Sequence, residues 1–127
     1  MDTNANAINW FEIGVTDFDR AKKFYETVFN FKMEVMDFGP VKMGMFPIDP
    51  ASQKVGGAIC KSEFHAVGTG GSLLYMNGNP DLADALSRVE AAGVKIMSPK
   101  KMISPEYGYM AVMIDTEGNA VALHSNN

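Results

Sequence analysis

The sequence predicts an α+β fold made of two βαβββ modules, each with a cupped mixed β-sheet. One observation is a helical stripe that occurs twice at the same spacing, as Ala21, Phe24, Tyr25 and Val28 and again as Leu82, Ala85, Leu86 and Val89. Another is the order of elements, because each stripe follows one short strand-like run and precedes three more. A repeat of this length predicts two copies of one unit inside a single domain, residues 1–127.

The first module is predicted at about residues 8–61 and opens with a strand at 8–15. The more apolar face of this strand is expected to meet a helix and carries Asn9, Phe11, Ile13 and Val15. The other face is expected to line a cleft and carries Ile8, Trp10, Glu12 and Gly14. Thr16 or Asp17 is the predicted N-cap of the following helix, which ends at Asn30.

Three further strands complete the first module, at residues 31–36, 41–46 and 55–60, with a turn at Gly39-Pro40. The last of them contains Gly56-Gly57, which predicts a close approach of other groups to the strand. Residues 62–70 are predicted to be a linker because they are rich in glycine.

The second module is predicted at about residues 71–124, with a first strand at 72–77. Asn79-Pro80-Asp81 predicts a helix start with Asn79 as N-cap, and Gly93 predicts the helix end. A strand at 94–97 is expected to stop at Ser98-Pro99. A hairpin then joins 107–114 to 120–124 through Glu117-Gly118-Asn119, with Ala120, Ala122 and His124 on one face.

The composition excludes several classes of protein. The chain has 127 residues, a net charge of -4 and a sequence pI near 5.0, which give no reason to expect nucleic acid or a membrane as partner. Cys60 is the single cysteine, so no internal disulfide can form, and a buried, unreactive thiol is expected. No signal peptide is recognisable at the N-terminus, and the predicted compartment is the cytoplasm.

Three motifs together resemble the vicinal oxygen chelate family, which includes glyoxalase I, the bleomycin-resistance proteins and extradiol dioxygenases. The segment from Asp17 to Tyr25 is similar to the family's D-x-x-R/K-A-x-x-F-Y opening, and Val89-Glu90-Ala91-Ala92-Gly93-Val94 and Asp115-Thr116-Glu117-Gly118-Asn119 follow in the family's order. The resemblance covers essentially the whole chain. It implies a glyoxalase/bleomycin-resistance/dioxygenase-like fold, a small-molecule ligand and a homodimer.

Enzymes of this family typically hold a divalent metal with His, Gln or Glu side chains, two from each module. The positions that match those ligands are Trp10, Ala58 or Cys60, Ser72 and Ala122. Indole, methyl and hydroxyl groups are poor ligands for Ni²⁺, Zn²⁺ or Mn²⁺. The prediction is therefore no cofactor and no metal at the usual positions, with a divalent metal such as Ni, Zn or Mn as the alternative.

Glu12 and His124 are the candidate catalytic residues. They lie two positions beyond Trp10 and Ala122 on the same strand faces. Their functional interpretation is an acid–base pair or a shifted metal site with Cys60 as a third ligand. The alternative is a salt bridge near the rim of the cleft, or two partly solvated residues at strand ends. His65, in the linker, is expected to be exposed to solvent.

The preferred functional hypothesis is a small-molecule binding protein that works without the family's usual metal. Its cleft would be lined by Trp10, Glu12, Ser72, Leu74, Ala122 and His124. The alternative is a lyase or isomerase that uses Glu12 and His124, with or without a metal, and a third hypothesis is a structural or regulatory dimer with a vestigial cleft.

Overall fold

The computed structural model describes residues 2–127 and contains two four-stranded mixed sheets and two α-helices. The first sheet has the order β1-β4-β3-β2, with β1 Trp10–Gly14, β2 Glu34–Asp37, β3 Lys42–Met45 and β4 Gly56–Lys61. The second has the order β5-β8-β7-β6, with β5 Tyr75–Asn77, β6 Ile96–Ser104, β7 Gly108–Ile114 and β8 Ala120–Ser125. The helices are α1 Phe18–Phe29 and α2 Leu82–Ala91. The predicted α+β fold of two βαβββ units is confirmed.

Helix α1 forms where the sequence predicts it. The Asp17 carboxylate caps its first turn by accepting the backbone N–H of Arg20, and Asn30 ends it with a left-handed φ of 55°. The predicted stripe is buried, and Tyr25 and Val28 are fully inaccessible to solvent. Local sequence therefore determines both ends and the packing face of this helix.

Helix α2 begins two residues later than predicted. The N-cap is Asp81, whose carboxylate accepts the N–H of Ala83, whereas Asn79 accepts the N–H of Asn126 near the end of the chain. Both residue types make good caps, and the contact of Asn79 with Asn126 could not be read from local sequence. Gly93 follows the helix with a φ of +76°, as predicted.

Two strands of the second sheet differ from the prediction. β5 is only Tyr75–Asn77, because the chain before it remains loop. β6 does not stop at Ser98-Pro99 but continues to Ser104, with register shifts between Ile96 and Ser98 and again between Ser98 and Lys101. Since β6 is an edge strand, proline can be accommodated there without removing a hydrogen bond from two neighbours.

The two glycines of β4 allow side chains to lie directly against the strand. A Cβ at Gly57 would be 2.5 Å from the Phe11 ring, and one at Gly56 would be 3.1 Å from Ile48. The close approach predicted for these glycines is confirmed, and the approaching groups are apolar side chains of the same module.

The core lies between the sheets and the helices as one cluster that includes both modules. Phe11 and Ile13 of β1 and Val121 and Leu123 of β8 face this core, so the predicted strand faces are confirmed. The opposite face of each sheet points away from this core and is called its open face. The register places Trp10, Glu12, Cys60, Ala122 and His124 on these faces. Leu74, in the loop before β5, instead packs against the core.

Candidate functional site

The strand register defines the open face of the first sheet. Glu12 pairs with Ala58, Trp10 with Gly56, and Met43 with Cys60, so their side chains share one side of the sheet. The Trp10 side of this face is accessible, with 39% of that residue exposed. Much of the remaining face is methionine, contributed by Met36, Met43 and Met45.

A polar cluster lies on this face. Glu12 Oε1 is 2.7 Å from His65 Nε2, and the ligand atoms of Glu12, Cys60 and His65 all lie within 4.8 Å of one another. Two neighbours orient the cluster, since Trp10 Nε1 donates to Glu12 Oε2 at 3.1 Å and Ser62 Oγ is 2.6 Å from His65 Nδ1. Carboxylate, thiol and imidazole thus converge at one place.

The electrostatics of the cluster differ from group to group. The hydrogen bond from His65 lowers the pKa of Glu12 against the opposing effect of burial, and Trp10 lowers it further. Burial and the neighbouring Glu12 carboxylate raise the pKa of the Cys60 thiol to about 12. Without a bound cation the thiol therefore stays protonated. Cys60 is fully buried, as the sequence predicts.

His65 is not the exposed histidine that the sequence predicted, because only 18% of its side chain is accessible. The linker folds back over the end of β1, where a Cβ at Gly14 would collide with the carbonyl oxygen of Ala66. Glycine at this position lets residues 65–66 approach the strand and brings the ring to Glu12. The sequence feature that comes closest to predicting a fixed His65 is Ser62, three residues earlier. The Ser62 hydroxyl can form a hydrogen bond with the imidazole ring.

His124 lies on the open face of the second sheet, beside Asn77 of β5 and Met110 of β7. Its Nε2 donates to the carbonyl oxygen of Tyr107 at 2.5 Å. The hydrogen bonds of Glu12 go to His65 and Trp10 instead. Within one chain Glu12 and His124 lie on different sheets and have separate partners, so their acid–base pairing stays a prediction.

Two cavities adjoin the residues predicted from the sequence, and a third, of about 670 Å³, borders Ser62 and His65. The larger, about 720 Å³, lies between β1, the β3–β4 loop and β5, and Leu74 is the one predicted ligand-binding residue that lines it. The smaller, about 410 Å³, is lined by Glu12, Ser72 and Leu74 together with part of the linker and the start of β8. Three of the predicted cleft residues thus meet at the smaller cavity, while Ala122 is fully buried beside Tyr75.

The positions that match the family's usual metal ligands do not fit a metal. Trp10 places an indole on β1, Ser72 is an exposed loop residue, and Ala122 offers a methyl group. Only the fourth-strand position has a donor, since Cys60 is the alternative there to Ala58. A metal coordinated by two side chains from each module is therefore not supported by these residues.

Two repeated βαβββ units with open sheet faces and a cavity between them define a class of two-module α+β proteins. The family model of the Glyoxalase/Bleomycin resistance protein/Dioxygenase superfamily matches residues 7–123, and the chain belongs to this superfamily. No curated protein sequence matches the chain.

Solved structures have the same fold at low identity. A glyoxalase I mutant from Zea mays aligns with a TM-score of 0.72 and 18% identity, over 94% of this chain and 44% of that one. A domain from Frankia sp. EAN1pec aligns at 0.71 and 11% identity, over 98% and 100%. A mutant of the fosfomycin resistance protein FosX from Listeria monocytogenes, complexed with Mn(II) and a dihydroxypropylphosphonic acid, aligns at 0.66 and 15% identity, over 97% and 92%. The chain spans less than half of the maize enzyme.

None of the helices in residues 2–127 combines the length and the apolar character needed to cross a membrane.

Proposed function

We propose that this protein binds a small, flat and largely apolar molecule in the 720 Å³ cavity between its modules. One observation carries the proposal: four phenylalanines, Phe11, Phe29, Phe31 and Phe46, line this cavity together with a few polar groups. Cavities of this size with convergent polar groups are typical of small-molecule sites in proteins. The larger cavity is preferred to the predicted cleft because its walls are more completely apolar.

The aromatic wall is ordered by its own contacts. The Phe46 ring lies 5.6 Å from Phe11 and 5.6 Å from Phe31, with tilted geometry in both pairs. Phe46 is 7% exposed, whereas Phe11 and Phe31 are only partly buried. A planar ligand would therefore contact ring faces that already have fixed positions, which lowers the entropy cost of binding.

Polar groups at one side of the cavity can orient a ligand. Asn77 of β5 and Asn79, two residues after it, line one side, and Asp49 and Lys54 line it from the β3–β4 loop. The Oδ1 atoms of both asparagines are already occupied by backbone N–H groups, which leaves their amide N–H groups available. These donors and Lys54 favour a ligand that carries a carbonyl or carboxylate group.

The experiment is a thermal-shift screen of planar apolar compounds that carry one acidic or carbonyl group. A ligand of the cavity raises Tm in the wild type and loses its effect in Phe31→Trp, where the added ring fills the cavity. Phe38→Trp is the matched control, because Phe38 is 58% exposed and does not line the cavity. The proposal fails if no compound shifts Tm, which would favour a vestigial cleft, or if Phe31→Trp responds like the wild type.

We also infer that two copies pair through the open sheet faces. Trp10, Met36 and Tyr75 are 39%, 40% and 52% exposed on these faces, and apolar groups at such accessible positions favour coverage by a partner. A second copy is the proposed partner, because a two-fold axis can place the first module of one copy against the second module of the other. Sedimentation should give a dimer, which Trp10→Glu weakens. A monomer at micromolar concentration would rule the pairing out.

The cytoplasm remains the proposed compartment, on the evidence of a single unpaired cysteine.

A lyase or isomerase is the second candidate function, and the Glu12–His65 hydrogen bond of 2.7 Å favours it. A carboxylate that orients an imidazole can support proton transfer, and each of the two groups borders a cavity. Turnover of a carbonyl adduct should then be lost in His65→Gln and retained in His124→Gln. The reverse result would rule out His65 as the base.

A further inference from the structure

We propose that Glu12, Cys60 and His65 form a Zn²⁺ site, in which a carboxylate oxygen, Sγ and Nε2 are the protein ligands and solvent supplies the fourth. This site differs from the pattern of two ligands from each module, because β1, β4 and the linker that follows β4 provide all three ligands. The proposal does not depend on ligand binding in the phenylalanine cavity.

The geometry of the three donors suits a small tetrahedral ion. Their ligand atoms lie within 4.8 Å of one another. Tetrahedral Zn²⁺ ligands at about 2.0–2.3 Å from the metal are separated by about 3.3–3.6 Å. The 2.7 Å contact between Glu12 and His65 must therefore open slightly. Both side chains can move, since Glu12 is 35% accessible and His65 is in a loop.

Outer hydrogen bonds already hold two of the ligands in the required state. When Nε2 of His65 binds a metal, its Nδ1–H can donate to Ser62 Oγ, which is 2.6 Å away. The indole N–H of Trp10 fixes Glu12 Oε2 at 3.1 Å and leaves the other carboxylate oxygen directed at His65. A histidine with a polar partner on its second nitrogen and a hydrogen-bonded carboxylate are typical of metal sites.

The charges and donor types favour Zn²⁺ over harder ions. On binding, the Cys60 thiol proton passes to solvent and a Zn–S bond forms, so one thiolate and one carboxylate balance the two positive charges. Mg²⁺ and Ca²⁺ would have only one oxygen donor among the three side chains. A mixed sulfur, nitrogen and oxygen set is instead typical of zinc. Glu12 borders the smaller cavity, which gives the fourth position access to solvent.

The first experiment titrates metal-stripped, reduced protein with Zn²⁺ by calorimetry, with no other ligand present. One ion per chain is expected in the wild type. His65→Gln should weaken binding by at least about 100-fold, and Ser62→Ala by about 10-fold, because an outer partner contributes less than a ligand. His124→Gln is the matched control, because it removes the other of the two histidines and should leave affinity unchanged.

A second readout identifies the sulfur ligand. Co²⁺ in the same site should give a thiolate-to-metal charge-transfer band, which Cys60→Ser abolishes. Since Cys60 is buried, circular dichroism must show that this variant is folded, and His65→Gln tests the site from an accessible loop position. The proposal is overturned if the wild type binds no stoichiometric Zn²⁺, if His124→Gln loses as much affinity as His65→Gln, or if the cobalt band persists in folded Cys60→Ser.

Discussion

The β3–β4 and β7–β8 connections occupy the same position in the repeat, but one lines a cavity and the other is a buried polar turn. The β7–β8 turn, residues 115–119, buries three polar side chains, with Asp115 3% and both Glu117 and Asn119 8% exposed. The β3–β4 loop, residues 46–55, contributes part of the wall of the larger cavity, and its Asp49 caps only its own turn.

The buried turn joins the second module to the first. Glu117 accepts the backbone N–H groups of Thr16 and Asp17 at 2.9 and 2.6 Å, and Asp115 accepts the Tyr25 hydroxyl at 2.7 Å. Asn119 donates to the carbonyl oxygen of Gly14 at 2.8 Å. The two modules therefore share one backbone pattern, but their equivalent connections differ in role. The β7–β8 turn binds the first module through buried hydrogen bonds, whereas the β3–β4 loop lines a cavity.

Asp115→Ala should have the largest effect on stability. It leaves the Tyr25 hydroxyl and the N–H groups of Glu117 and Asn119 without their buried acceptor. We expect a loss of about 3–5 kcal/mol in the free energy of unfolding, measured by urea denaturation. Asp49→Ala, at the equivalent connection, should cost less than about 1 kcal/mol. Equal losses would show that the two connections do not differ as described.

Glu117 should make stability depend on pH. Burial raises its pKa, but Arg20, the N–H groups of Asp17 and Thr16 and the Thr116 hydroxyl lower it more, from 4.5 to about 2. Because the pKa is lower in the folded state, the stabilisation is complete above the unfolded value and is lost as pH falls from about 5 toward 2. It amounts to about 3 kcal/mol.

Urea denaturation between pH 3 and 7 measures this contribution. Glu117→Gln should be less stable at pH 7 and approach the wild type at pH 3, whereas Asp49→Asn should follow the wild type throughout. A Glu117→Gln variant with an unchanged pH slope would contradict the assignment.

Tyr25→Phe should cost about 2 kcal/mol, because it removes one hydrogen bond to a buried carboxylate and leaves the aromatic packing in place. Asp115 Oδ2 keeps the Asn119 amide as a donor, so the loss stays below that of Asp115→Ala. A loss as large as that of Asp115→Ala would show that the Tyr25 hydroxyl alone accounts for the contribution of Asp115 to stability.

Ile48→Val tests the open connection and should have the smallest effect on folding, about 1 kcal/mol or less, because Ile48 is only partly buried. Since Ile48 lines the larger cavity, the variant should shift the preferred ligand toward larger compounds in the thermal-shift screen. If the ranking of ligands is unchanged, the β3–β4 loop does not contact the bound ligand.

Periodicity and caps predict the part of the fold that local sequence controls. The stripe from Phe18 to Val28 and the alternation in β8 were sufficient to assign both packing faces correctly. The helix start at Asp81 and the strand through Pro99 were misjudged, since a contact with Asn126 and an edge position in the sheet decide them. Neither can be inferred from neighbouring residues.

The polar cluster was only partly predictable. The alternation of residues along β1 placed Glu12 on the open face, and a buried thiol was expected at Cys60. Neither observation could show that the linker turns back over Gly14. The sequence therefore suggested His124 as the partner of Glu12, whereas His65 makes the contact with Glu12 within one chain. The roles of Trp10, Ser72, Leu74 and Ala122 in ligand binding stay predictions.

The contacts of Glu117 with Thr16 and Asp17 also constrain how the chain folds during synthesis. About one hundred residues separate the start of the first helix from the side chain that binds it. A ribosome that has made only the first module has produced a helix whose terminus still lacks this acceptor, so the nascent chain cannot complete its native contacts. Final consolidation must wait until residues 115–119 have emerged, and such distant pairing slows folding relative to local contacts.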